Sequence, residues 1–307
     1  MQPLRLGIAG LGTVGVGVVK ILRQKADLLE QRTGRFLRIT AVSAVDASKD
    51  RGIPLKDYAW YSDAVSLAKR EDIDIFVELI GGHEGIALEA TKAALESGKD
   101  VITANKAMLA HFGHELAMLA EDRGALIRFE AAVAGGIPVI KSLTESLAGN
   151  RMTRVMGVMN GTCNYILTQM QETGRDYETL FAECAELGYL ETDPVLDVGG
   201  IDAGHKLALL SSIAFGTKID FNAVEIEGIE RIALEDIQQA NDMGFRIKLL
   251  GVSQMTERGL EQRMSPCLVP KSSPLGQLEG GTNMVVLEGD EVSQIVLRGP
   301  GAGQGPT

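Results

Sequence analysis

Cysteine, aromatic residues and basic charge are all scarce in this chain, and each shortage removes a class of function. Three cysteines, Cys163, Cys184 and Cys267, stand far apart among 307 residues, with no CxxC pair. An odd, sparse set of this kind excludes a disulfide framework and points to a reducing compartment, so the cytoplasm is the expected location. His111 and His114 lie three residues apart, but no nearby cysteine or acidic side chain completes a zinc pattern; a pair on a helix surface is expected there. The 30 basic against 41 acidic side chains leave a formal charge of −11, the opposite of the basic stripe that a nucleic-acid partner requires. Aromatics make up 5%, with the single tryptophan Trp60, too few for a base-stacking platform. No apolar run approaches the ~18 residues needed to cross a bilayer. The longest, Ala131–Ile140, is broken by glycines and Pro138. The N-terminus reads as a strand and not as a signal peptide. Neither nucleic acid nor membrane is an expected partner.

What the chain has is glycine, 36 residues of it, and length for about two domains. Leu4–Ala9 is a short apolar run that meets a glycine cluster and then an apolar-periodic stretch from Val14 to about Leu29. The alternation repeats: strands at Leu37–Val45, Ile73–Glu78, Asp100–Ala104 and Ala125–Glu130, helices at Ser62–Arg70, His83–Ser97 and Ala107–Arg123. Short strands alternating with longer helices predict a parallel, doubly wound (Rossmann) sheet. After Glu130 the grammar changes. A Pro138-led helix to about Ala148 precedes a strand at Arg154–Asn160, then helices at Tyr165–Thr173, Tyr177–Leu187, Ala203–Phe215 and Leu234–Met243. Strands at Arg246–Met255, Leu260–Val269, Asn283–Leu287 and Ser293–Arg298 are separated by turns, which predicts an α+β domain with a mostly antiparallel sheet. The expected division is 1–135 with 293–307 returning to it, and 136–292.

Gly10-Leu-Gly12-Thr13-Val14-Gly15 is a GxGxxG that follows a strand and opens a helix. In that context the first glycine permits the tight turn, the second admits a pyrophosphate to the backbone, and the third allows close helix–strand packing. The helix N-terminus adds free N–H groups and positive dipole character. Asp46, 31 residues beyond Gly15, is the acidic candidate for a ribose 2′-hydroxyl and favours NAD; Lys49 and Arg51 follow closely and favour the 2′-phosphate of NADP. The spacing is compatible with either cofactor.

A second cluster runs from Gly188 to Lys206, with Glu191, Asp193, Asp197, Asp202 and Lys206 inside nineteen residues. Its Pro/Gly-rich front half is not expected to be helical. Asp202 is placed to start the next helix, with Lys206 one turn later on the same face. Two readings fit: an N-cap beside an exposed ion pair, or a lysine next to a carboxylate that gives and takes a proton at an alcohol or carbonyl. The apolar run that follows Lys206 puts this helix start near a packed interior. Thr103-Ala-Asn-Lys106 sits at the carboxyl end of a parallel strand, the edge where doubly wound sheets bind ligands. Asn160-Gly-Thr162-Cys163-Asn164 is another polar turn between strand and helix. With no histidine near it in sequence, Cys163 is expected to be a buried bystander.

Together GLGTVG, ELIGG (Glu78–Gly82), TANK, EAAVAGGIPVI (Glu130–Ile140), MNGTCNYIL (Met159–Leu167), GYLETDP (Gly188–Pro194), DVGGIDAGHK (Asp197–Lys206) and GPGAG (Gly299–Gly303) resemble homoserine dehydrogenases, in that order and over essentially the whole chain. The resemblance implies NAD(P)-dependent interconversion of L-homoserine and L-aspartate 4-semialdehyde, on the route to threonine, methionine and isoleucine. By resemblance Lys206 is the acid–base lysine with Asp202 beside it, and Glu191 and Asp197 are substrate-binding carboxylates suited to an amino-acid ammonium. Thr162 and Tyr189 fall in substrate-contact segments, and Lys106 lies between substrate and cofactor. The cofactor is implied to meet Gly10, Gly12, Thr13, Val14, Gly15, Asp46, Thr103, Lys106, Gly188 and Gly303. A structural sodium ion is implied on Glu130, Val133, Gly135 and Ile137, largely through backbone carbonyls, and a homodimer through the second domain's sheet. Family chains continue past the GPGAG stretch into a helix that returns to the cofactor domain, and many then add an ACT domain. Here the sequence ends at Thr307, so no ACT domain is expected.

Two rivals fit less well. An aspartate-semialdehyde dehydrogenase needs a cysteine nucleophile with a histidine partner, and no such pair is evident. A catalytically dead dinucleotide sensor has no use for an intact set of Lys106, Glu191, Asp202 and Lys206.

Overall fold

A computed structural model describes residues 2–188, 190 and 193–307. The chain divides into two compact units, 1–132 with 302–307, and 133–301.

The first unit is a six-stranded parallel sheet covered by helices. Its strands are β1 (Leu4–Ala9), β2 (Leu37–Ser43), β3 (Ala59–Tyr61), β4 (Ile75–Glu78), β5 (Asp100–Thr103) and β6 (Ile127–Arg128). Helices α1 (Thr13–Gln24), α2 (Ala26–Thr33), α3 (Ala64–Ala68), α4 (Ile86–Glu96) and α5 (Lys106–Arg123) connect them. Sheet order is β3-β2-β1-β4-β5-β6, so the winding direction reverses between β1 and β4. Such a switch point leaves a crevice beyond the carboxyl ends of those two strands. Strands buried on both faces must be apolar on both. Ile8, Val42 and Val77 fill one face, while Phe76, Ala90, Ala94, Leu95 and Val101 fill the other. The alanine run on α4 brings that helix close to the sheet: Ala87, Ala90 and Ala94 are fully buried.

The expected single helix from Val14 to Leu29 is two helices, broken at Lys25. The second piece, α2, fully buries no residue. Strand β3 was not expected, since three residues are too few for periodicity to register.

The second unit holds α6 (Glu130–Ala134, which crosses the division), α7 (Val139–Lys141, continuing as a π-helical turn Ser142–Ser146), α8 (Gly161–Thr173), α9 (Tyr177–Glu186), α10 (Pro194–Val198), α11 (Ile201–Phe215) and α12 (Leu234–Asp242). Its strands are β7 (Met152–Val158), β8 (Glu225–Ile226), β9 (Phe245–Thr256), β10 (Gly259–Pro270), β11 (Thr282–Gly289) and β12 (Ser293–Pro300), in the order β12-β11-β7-β9-β10-β8. All neighbours are antiparallel except β8, which runs parallel to β10. Helix α11 carries the apolar run after Lys206, with Leu207, Ala208, Leu209 and Leu210 buried.

Two expectations need correction. Residues 293–300, expected with the dinucleotide-binding domain, form the edge strand of the second sheet. A turn with Ser293 at φ +54 folds them back onto β11 from Gly289↔Ser293 to Thr282↔Pro300. Only 302–307 group with the first unit. The segment before Asp197, expected to be non-helical, contains α10, with Asp193 capping it through Val195 N and Pro194 in its first turn. Proline suits that position because its missing N–H would have had no helical partner. Among the described residues no helix is long and apolar enough to cross a membrane.

Leu95 is fully buried between α4 and the sheet. Leu95→Ala is expected to lower unfolding stability by about 2–5 kcal/mol, read as a shift of the denaturant midpoint at unchanged slope.

Candidate active site

In the first unit the glycine loop is shaped for a ligand at one position and for packing at the other two. Gly10 adopts φ +94, and a Cβ there would lie 2.2 Å from the Leu79 carbonyl oxygen. A Cβ on Gly15 would lie 1.9 Å from the Gly10 carbonyl oxygen, so α1 and the turn interlock. Over Gly12, in contrast, there is nothing within 4 Å. Gly12 and Thr13 are exposed, Val14 is half-buried, and no side chain caps the first turn of α1. An open backbone of this kind at a helix N-terminus suits an anionic group, so the residues present fit a dinucleotide pyrophosphate. One turn further along, Gly17 admits the Gln304 carbonyl, which would be 2.4 Å from a Cβ, so residues 302–307 lie against α1. Gly303 there has φ +127.

Beyond β2, Asp46 is exposed and accepts hydrogen bonds from Ser48 N at 2.8 Å and Ser48 Oγ at 2.6 Å. These hold its carboxyl below the usual range. Arg51 donates from Nε to the Leu11 carbonyl of the glycine loop at 3.2 Å and from Nη1 to the Lys49 carbonyl at 2.9 Å, with its guanidinium over the Trp60 ring.

The carboxyl ends of β4 and β5 are tied by a buried carboxylate, Glu78, for which the ELIGG motif alone implied no role. Glu78 Oε1 accepts from Ile80 N at 2.7 Å and Gly81 N at 3.2 Å, and its Oε2 accepts from Thr103 Oγ1 at 2.5 Å. Thr103 Oγ1 in turn accepts from Asn105 N at 2.9 Å. Asn105 caps α5 through Met108 N and donates to the Gly82 carbonyl at 2.7 Å. Thr103 and Asn105 are therefore fixed by both loops, and Lys106 begins α5 beside them.

In the second unit Lys206 and Asp202 form a buried ion pair. Lys206 Nζ lies 2.7 Å from Asp202 Oδ2, with side-chain exposures of 12% and 6%, so this i, i+4 pair is not an exposed one. Lys206 Nζ also donates to the Met159 carbonyl at 2.9 Å, which accepts a second hydrogen bond from Asn283 Nδ2 at 3.2 Å. Next to it, Asn160 caps α8 through Cys163 N and donates from Nδ2 to Asp197 Oδ1 at 3.0 Å. Asp197 is buried at the end of α10. The polar turn Asn160–Asn164, Asp197, Asp202 and Lys206 are thus linked through Met159 and Asn160, with Thr162 half-buried in the first turn of α8. Cys163 is fully buried, its Sγ donates to the Asp197 carbonyl at 3.3 Å, and burial pushes its thiol well above the ordinary range, so it is no nucleophile.

Tyr189 and Glu191 lie outside the described residues; Gly188, at φ +71, follows α9. Glu130 and Val133 lie on α6, followed by Gly135 at φ +57 and by Ile137, whose carbonyl accepts from Val139 N at 2.8 Å. One carboxylate and several backbone carbonyls are hard oxygen donors of the kind an alkali cation takes. Among the described residues no three His, Cys, Asp or Glu side chains gather to hold a metal.

Lys248 was also missed. It stands in β9 between apolar neighbours, almost fully buried, and donates to Asn164 Oδ1 at 2.8 Å and to the Leu278 carbonyl. A lysine inside an apolar strand run (Ile247, Leu249, Leu250) is the signal that sequence offered for it. Burial first, and then Arg246, against the opposing pull of Glu279 and Glu172, lower its pKa to about 8.

A family model described as "Homoserine dehydrogenase" matches residues 138–307, and one described as "Homoserine dehydrogenase, NAD binding domain" matches 10–130. The homoserine dehydrogenase of Neisseria gonorrhoeae is 44% identical over 307 residues, covering all of this chain and 70% of the relative. That of Bacillus subtilis is 38% identical, covering 100% of this chain and 71% of the relative. The crystal structure of a homoserine dehydrogenase from Thiobacillus denitrificans superposes with a TM-score of 0.96 at 40% identity, covering 100% of this chain and 70% of that one. A hyperthermophilic archaeal homoserine dehydrogenase in complex with NADPH superposes at 0.82 and 26% identity, covering 100% and 94%.

Two outcomes are expected. Gly12→Ala places a methyl in open space, so it should leave the melting temperature unchanged and weaken NADPH binding about tenfold, roughly 1.4 kcal/mol. Gly15→Ala should lower both. Fluorescence titration beside a thermal melt separates the two, and equal effects would contradict the division of roles. For Lys248, a folded pKa near 8 against an ordinary value of 10.5 means the unfolded chain binds more protons between those pH values. Wild-type stability should therefore rise relative to Lys248→Met as pH climbs from about 8 to about 10. A difference in denaturant midpoint that is flat across that window would contradict it.

Proposed function

Because the chain belongs to the homoserine dehydrogenase family of NAD(P)-dependent oxidoreductases, we propose that it interconverts L-homoserine and L-aspartate 4-semialdehyde with Lys206 as the acid–base group. The observation that carries this reading is the buried Lys206–Asp202 pair at 2.7 Å, with the lysine also anchored on the Met159 carbonyl. A bound nicotinamide supplies hydride transfer to and from the substrate carbon. In the reducing direction the Lys206 ammonium gives a proton to the aldehyde oxygen as it becomes a hydroxyl. In the oxidising direction the neutral amine takes that proton back. Asp202 keeps the ammonium oriented and offsets its charge where water is scarce. Glu191 and Asp197 receive the substrate's ammonium, and Thr162 and Tyr189 contact its body. Lys106 acts between substrate and cofactor.

Gly10, Gly12, Thr13, Val14 and Gly15 would hold the cofactor's pyrophosphate, and Thr103, Lys106, Gly188 and Gly303 are the further residues assigned to the cofactor. For the adenosine end we favour NADP. Asp46 is engaged by Ser48, whereas Arg51 is pinned beside the glycine loop with its Nη2 edge left to meet a 2′-phosphate. The same reading includes a structural sodium ion on Glu130, Val133, Gly135 and Ile137, a homodimer through the second sheet, and a cytoplasmic location.

Lys206→Ala is expected to lower turnover by about 10²–10⁴-fold while NADPH binding stays within twofold; near-normal activity in that variant would sink the assignment. Arg51→Ala should raise the KM for NADP about tenfold or more, since a hydrogen bond to a charged group contributes about 1.5–3 kcal/mol, and leave the KM for NAD nearly unchanged. Equal effects on both cofactors would place the 2′-phosphate elsewhere.

A further inference from the structure

We propose that Lys248, remote from the reacting atoms, is a positioning residue that holds the substrate turn Met159–Asn164 in its working geometry. The proposal rests on the functional reading above, because the turn matters only if Lys206 and Asp197 meet substrate.

Hydrogen bonds within the second unit connect Lys248 to this turn. Lys248 Nζ donates to two separate segments, Asn164 Oδ1 on α8 at 2.8 Å and the carbonyl of Leu278 in the loop before β11. Asn164 completes the link by donating from Nδ2 to the Gly280 carbonyl at 2.6 Å. The loop therefore reaches α8 twice, once through the ammonium and once through the amide. One residue on, Gly281 meets Gly161 so closely that a Cβ on Gly161 would lie 2.6 Å from the Gly281 carbonyl oxygen. Two residues further, Asn283 Nδ2 donates to the Met159 carbonyl, the same oxygen that anchors Lys206 Nζ. From the other side, Asn160 opens α8 and holds Asp197.

Two routes thus lead from Lys248 to the same place. One runs along α8 from Asn164 back to Asn160, and the other along the loop from Leu278 to Asn283. Removing the ammonium leaves two buried acceptors, Asn164 Oδ1 and the Leu278 carbonyl, without their donor, and both routes loosen together. An apolar side chain of similar size in β9 preserves packing and fails only at this link. A buried charge with no hydrogen-bonded carboxylate is costly to keep. Among the described residues no carboxylate lies within ion-pair distance of Lys248; an apolar residue would serve β9 better if packing were its only task.

The test uses the whole chain and three measurements: NADPH affinity by fluorescence, the homoserine KM and kcat by NADPH formation, and the melting temperature. Wild type must first form NADPH in the presence of homoserine; if it does not, the functional reading fails and Lys248 is not at issue. With an active wild type, Lys248→Met is expected to raise the homoserine KM about tenfold while NADPH affinity, which rests chiefly on the glycine loop, stays within twofold. Asn164→Ser removes the same link from the opposite side and should act in the same direction. The double variant should be no worse than the more affected single. If Lys248→Met does not fold, Asn164→Ser alone decides. A lowered melting temperature with unchanged homoserine KM in whichever variants fold would make Lys248 merely structural and overturn the proposal. A parallel loss of NADPH affinity would overturn it too.

Discussion

The ammonium of Lys206 is held from two sides, by the carboxylate of Asp202 one helical turn before it and by the carbonyl of Met159 at the end of a strand from the sheet. Much of the second unit serves that arrangement. A lysine near the apolar start of a helix is unfavourable unless paired. The pair in turn restricts where α11 can begin: Gly200, at φ +80, turns the chain into it, and Gly204 lets it approach β8, where Ile226 would crowd any Cβ to 2.7 Å. The apolar run that follows buries α11 against the sheet and fixes the direction of the Lys206 side chain. Burial of the helix and orientation of the ammonium are therefore one constraint.

The first unit meets a different requirement with the same economy of means. Its parallel sheet reverses direction between β1 and β4, and the loops that follow β4 and β5 are bound to one another by Glu78, Thr103 and Asn105. A carboxylate accepting two backbone N–H groups and a hydroxyl is satisfied without a cation, so a buried charge can stabilise two loops at once. Gly12 is left open while Gly10 and Gly15 are locked by packing. The two packed glycines thus flank an exposed helix N-terminus.

Much of this was legible in the amino-acid order, and the parts that were not share physical causes. Periodicity located the parallel sheet because buried strands must be apolar, and the GxGxxG gained its meaning from the strand before it and the helix after it. The Asp202–Lys206 spacing placed both groups on one face, but only the fold shows whether such a pair is buried or solvated. Long-range partners left no local mark: the Met159 carbonyl is backbone, Asn283 lies 124 residues from it, and Glu78 looks like the end of any strand. For residues 293–300 the strand pattern was right and the domain division wrong: the turn at Ser293 joins them to the antiparallel sheet and not to the first unit. The short α10 was hidden by Pro194, which ends helices in their interiors and begins them at the first turn.

The central claim is that this chain reduces and oxidises a four-carbon amino alcohol and its aldehyde with a nicotinamide cofactor. The most direct measurement supplies the purified chain with NADPH and L-aspartate 4-semialdehyde and follows both NADPH loss and the amino-acid product. The account requires homoserine to form in equal amount to the NADPH consumed. NADPH loss that is independent of the aldehyde, or a product other than homoserine, would contradict it.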